Sequence, residues 1–129
     1  MKTLTEFKAS LNLEQPISEL SVQLKSLWYD GKGDWHQAHA QVDHLEDQAS
    51  AWVHAYLHRK EGDIGNADYW YSKARQIRPN LSLEKEWEQL VLEFLWSATL
   101  IIPFYRQGRS CGFWSRRMPI LPYSSTSIN

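Results

Sequence analysis

An all-α fold is the reading of this sequence, and two observations carry it. Apolar residues recur at three- and four-residue spacing through most of the first 95 positions, the period of a helix that buries one face. The segment Leu27–Ala38 can also be written over Tyr56–Ala67 at an offset of 29 residues. In each copy an aromatic-rich helical pattern runs into Gly and then Asp (Gly33-Asp34, Gly62-Asp63), and an Ala follows four residues after the Asp. A duplicated helix–turn–helix predicts two stacked antiparallel hairpins, followed by a fifth helix and an irregular C-terminal tail.

The elements follow in order. Leu4, Phe7 and Leu11 predict a short N-terminal helix over about 4–12. Pro16 suits the first turn of the next helix, where a missing N–H costs nothing. Ile17, Leu20, Leu24, Leu27 and Trp28 then form its apolar stripe, and Gly31 and Gly33 end it, since glycine tolerates the left-handed geometry of a helix C-terminus. Asp34 caps the following helix, about 35–45, which carries Trp35, Ala38, Val42 and Leu45 on one side. The second copy runs over about 48–60 with Trp52, Val53, Tyr56 and Leu57 on its bulky face. Gly62 stops it and Asp63 caps the next helix, in which Ile64, Ala67, Tyr71 and Ala74 align and which Pro79 closes. Ser82 caps the last helix, with Leu83, Trp87, Leu90, Val91 and Phe94 inward. Trp28, Trp35, Trp52 and Trp87 are the expected large contributors to the core.

At 129 residues the chain accommodates one domain, placed at 1–95, and the tail at 96–129 is different material. Residues 1–93 carry a balance of −5, whereas the tail holds Arg106, Arg109, Arg116 and Arg117 and no acid. An acidic body argues against nucleic acid as a partner, because phosphate binding needs a concentrated basic face. The apolar run Phe94–Tyr105, 12 residues, is too short for a membrane span of ~20. The single Cys111 excludes an intramolecular disulfide and a multi-cysteine zinc site, which favours a reducing, cytoplasmic compartment.

The second copy resembles a tetratricopeptide repeat: Ala55, the Gly62-Asp63 turn, Ala67, Tyr71, Ala74 and Pro79 fall at that repeat's small, turn, small, aromatic, small and proline positions. His54 and His58 depart from it, standing where the repeat usually has Leu and Tyr, and the first copy is five residues shorter than the repeat. The run Trp52-Val53-His54-Ala55-Tyr56-Leu57-His58-Arg59-Lys60-Glu61-Gly62-Asp63, with Asn66-Ala67 and Tyr69-Trp70-Tyr71, also resembles a group of small bacterial proteins. That resemblance implies the same helical architecture and assigns no reaction.

The resemblance implies a protein- or peptide-interaction module, in which the first helix of each pair lines a groove. Trp52, Tyr56, Arg59 and Asp30 are the groove candidates, with Tyr69 pointing outward or against another element because three consecutive helical aromatics spread over 200°. Two repeats leave exposed ends, which a homodimer would cover. The alternative reading starts from the other face of the helix over 48–60. His54, His58 and Glu61 stand at i, i+4 and i+7, and His39 pairs with His36 at i−3 and Asp43 at i+4. Imidazoles one turn apart chelate a divalent ion such as zinc, and a neutral His is also the commonest general base, so His39, His54, His58 and Glu61 are the candidate metal or acid–base residues. No cofactor is expected under the first reading. Convergence of the histidines in space separates the two. A site, if present, is expected beside the second Gly-Asp.

Overall fold

The computed structural model describes residues 2–99. Its regular structure is helical throughout: α1 (Leu4–Ser10), α2 (Val22–Gly31), α3 (Trp35–Val42), α4 (Gln48–Glu61), α5 (Ile64–Lys73) and α6 (Leu83–Thr99). The all-α expectation holds. The expected tail lies outside the described residues from position 100, whereas Trp96–Thr99 continue α6 past the expected boundary at 95. No Gly or Pro interrupts the chain between Leu83 and Thr99, so nothing there breaks the helix.

Short polar side chains set the helix starts by accepting from free first-turn N–H groups. Asp34 accepts from the Gln37 N–H (3.1 Å), Asp47 from Ser50 (3.0 Å) and Ser82 from Lys85 (3.1 Å). Thr3 and Glu6 cap α1 reciprocally, as a Thr-x-x-Glu sequence allows. Ser21 corrects the expected start of α2. Its hydroxyl accepts from the Leu24 N–H (3.2 Å), so the helix begins at Val22, and Ile17–Leu20 forms a turn instead of the first helical residues.

The two Gly-Asp turns are the same structure twice. Gly33 (φ 87°) and Gly62 (φ 92°) are left-handed, and the next residue's N–H reaches back to the carbonyl five positions earlier: Asp34 to Tyr29 and Asp63 to His58, both 2.9 Å. Each Gly–Asp pair thus closes one helix and caps the next. Gly31 serves differently, since a Cβ there would stand 3.1 Å from Leu11 and Trp87. A third turn of this kind ends α5, with Arg75 (φ 59°) at the left-handed position and the Gln76 N–H on the Tyr71 carbonyl (2.9 Å). Accordingly α5 stops at Lys73, before Pro79, and Ile64 at its start is exposed rather than inward. Likewise α3 stops at Val42, short of Leu45.

Helices α2 with α3 and α4 with α5 make the most extensive pairings, while α6 lies against α1, α2 and α4. The central element is α4. Its bulky stripe (Val53, Tyr56, Leu57) enters the main core with Phe7, Leu24, Leu27, Trp28, Leu90 and Val91, and its opposite side buries Ala51, His54, Ala55 and His58. Trp28 and Trp87 are buried, whereas Trp35 and Trp52 are half-buried at the edge of the core. The indole N–H groups of Trp28, Trp35 and Trp87 each donate to a carbonyl, of Ser10 (3.1 Å), Leu57 (2.8 Å) and Leu27 (2.9 Å), so these rings enter without an orphaned donor.

Candidate metal centre

Three histidines converge where α3 crosses α4. His39 comes from the last turn of α3 and is half-buried; His54 and His58 lie one turn apart on the small-residue side of α4, where Ala51 and Ala55 leave room for neighbouring helices. One ring nitrogen from each lies within 4.8 Å of the others. The His39 and His54 Nε2 atoms are 3.1 Å apart, and the His39–His58 and His54–His58 ring centroids are 5.2 and 4.8 Å apart. The 3.1 Å contact is an N–H···N hydrogen bond between the two rings, and it is also close to the ~3.3 Å that separates two nitrogens bound tetrahedrally to one zinc ion at ~2.0–2.1 Å.

The surroundings hold these rings in place. Trp35 stacks on His39 (centroids 4.7 Å, interplanar 11°) and Trp70 on His54 (4.1 Å, 26°). Glu61 Oε2 lies 2.7 Å from His58 Nδ1 and accepts from it, fixing the tautomer that leaves Nε2 free as a ligand. On His39, Asp43 stands 3.7 Å from Nδ1. A second group, His58, Glu61 and Asp63, adjoins the first, although Asp63 is already spent on capping α5.

Electrostatics favour the neutral form of His39 and His54. Burial, then the nearby His39 and His58, push the His54 imidazole down to about 4. Burial and His58 lower His39 as well, against a smaller opposing pull from Asp43. Neutral imidazole is the metal-binding form. His54 Nδ1 is buried with no hydrogen-bond partner, whereas its Nε2 meets His39.

The structure thus brings together His39, His54 and His58, with Glu61 on the outer edge of His58, beside the second Gly-Asp. The expected groove residues are arranged otherwise. Tyr56 and Asp30 are buried and bonded to each other, the phenol donating to Asp30 Oδ2 at 2.7 Å while Lys60 Nζ reaches Oδ1 at 2.8 Å. Burial and the Asp30 charge hold the Tyr56 phenol well above its ordinary value. Arg59 donates to Glu86 (2.6 Å) and to the Leu81 carbonyl, and Trp52 packs on Phe94. Tyr69 alone of the five is exposed, at 56 %, so no open surface includes them all. Asp30, Tyr56 and Lys60 instead line a cavity of about 420 Å³ with Lys8, Leu11 and Trp87, away from the histidines.

Trp35 and Trp70 were not among the expected site residues. Trp35 had a signal, standing one turn before His39; Trp70 had none, because the packing of α5 on α4 places it. No helix among the described residues is long and apolar enough to cross a membrane. Comparison with protein-family models, with curated proteins and with solved structures gave no match to this chain.

Proposed function

We propose that this is a metal-binding protein, whose centre is a divalent late transition ion such as zinc held by His39, His54 and His58. The observation that supports it most is the convergence of three ring nitrogens within 4.8 Å in a pocket of half-buried and buried side chains. Packing alone does not account for that choice of residues. Burial and the neighbouring rings lower the basicity of His39 and His54, and His54 Nδ1 is left orphaned in the interior. An apolar trio of similar volume would carry neither penalty. Imidazole sets suit zinc, copper, nickel and iron rather than magnesium or calcium, which take oxygen ligands. Glu61 acts from outside, orienting His58 through its Nδ1.

The reading also redirects the helical-repeat expectation. The tetratricopeptide-like pair serves here as the frame that carries α3 across α4, and the departures at His54 and His58 from that repeat are the residues that make the site.

The test is metal content and affinity of the full chain, by elemental analysis of purified protein and calorimetric titration of the metal-free protein with Zn²⁺. One ion per chain is expected, lost in His39→Ala, His54→Ala and His58→Ala and retained in His36→Ala, which removes an exposed histidine of the same helix. Absence of stoichiometric binding in the wild type, or equal loss on removing His36, overturns the proposal.

A further inference from the structure

We infer that the centre is an open one: the three histidines leave a coordination position for an exchangeable small anionic donor, hydroxide or a small carboxylate-like anion, approached past His39. The inference rests on the metal-centre reading above and concerns what such an ion would do once held.

Four features carry it. Zinc-like ions take four ligands, and the group that converges here supplies three among the described residues. Two nearby carboxylates stand outside that group of three, each at the Nδ1 of one histidine. Glu61 lies 2.7 Å from His58 Nδ1, and Asp43 lies 3.7 Å from His39 Nδ1 while the Nε2 of that ring faces His54. Access is one-sided. The His39 side chain is 25 % exposed, whereas His54 and His58 are buried, with Trp70 stacked over His54. Finally, three neutral imidazoles leave a divalent ion's charge unneutralised at its own ligands, so the fourth position favours an anion or a water that readily gives up a proton. Closed structural sites are instead finished by a fourth Cys or His. Cys111, the single cysteine, lies outside the described residues.

Cobalt substitution separates the outcomes. The full chain is loaded with Co²⁺ as a visible-range reporter and titrated with azide. A stoichiometric cobalt spectrum that shifts and saturates with azide is expected, with the same end point in His36→Ala. A stoichiometric spectrum indifferent to azide, or one bearing a thiolate-to-cobalt charge-transfer band that disappears in Cys111→Ser, means a fourth protein ligand and overturns the open site while leaving the metal centre standing. Failure to bind cobalt or zinc at all overturns the metal centre itself.

Discussion

Arg75 holds the position in its turn that Gly33 and Gly62 hold in theirs, at φ 59° against 87° and 92°. A side chain in the left-handed region costs roughly 1–2 kcal/mol through the clash of Cβ with the following carbonyl, partly offset by the greater freedom glycine has in the unfolded chain. Arg75→Gly is therefore expected to raise stability by about 0.5–1 kcal/mol, read as a higher urea midpoint at unchanged slope. A lower midpoint would mean that the arginine side chain holds more than its backbone strain costs. His54 makes the second residue-scale case. Its folded-state value of about 4 lies below the ordinary 6.5, so between those limits the unfolded chain binds a proton that the folded chain refuses. Its contribution is fully present above pH 6.5 and is lost as pH falls toward 4, by about 3 kcal/mol in all. Denaturation of metal-free protein across that range should show the decline, and His54→Gln should flatten it. An equally steep decline in the variant would place the titration elsewhere.

At the scale of elements, what the sequence made legible was local. The twin turns follow from Gly and Asp at fixed places, and the two stripes of α4 follow from 100° per residue, so His54, His58 and Glu61 could be placed on one face before any packing was known. His39 was legible as a member of a polar pair on α3. That it crosses to His54 was not, because the crossing of α3 and α4 is decided by the packing of Ala38 and Val42 into the core. The exposure of the groove candidates was not legible for the same reason. Whether Trp52, Tyr56 and Arg59 face solvent depends on where α6 docks, and its stripe says only that it docks. The start of α2 was misplaced because Pro16 and Ser21 are both acceptable openings, and only the Ser21 hydroxyl finds a first-turn N–H. The proposed centre has an element-scale consequence: an ion on His39, His54 and His58 would tie α3 to α4. Zinc at about 100 times its dissociation constant should then stabilise the protein by ~2.7 kcal/mol, with a melting temperature that climbs with free zinc. In His39→Ala that climb should vanish. A climb of equal size in this variant would mean that zinc acts without linking the two helices.

Across the whole molecule, two buried carboxylates use one pattern to join helices distant in sequence. Asp30 of α2 accepts from the Tyr56 phenol and pairs with Lys60; Glu86 of α6 accepts from the Tyr71 phenol and pairs with Arg59. Each thus ties its own helix to α4, and Glu86 also reaches α5, so the polar interior converges on the helix that carries the histidines. The two sites differ in solvent access at the cation. The Lys60 side chain is 38 % exposed and can turn to water, whereas that of Arg59 is 17 % exposed and also donates to the Leu81 carbonyl. Removing Glu86 leaves the guanidinium and the phenol without their shared acceptor in a site already closed to water. Breaking a buried pair in this way costs about 3–5 kcal/mol, far more than the net worth of the pair itself. Glu86→Ala should accordingly lose that much stability by chemical denaturation, while the triple change Glu86→Leu, Arg59→Met, Tyr71→Phe recovers most of the loss by replacing the whole network with apolar packing. A single-variant loss below ~1 kcal/mol would show that water enters to solvate Arg59, and α6 would then be held by its apolar stripe alone.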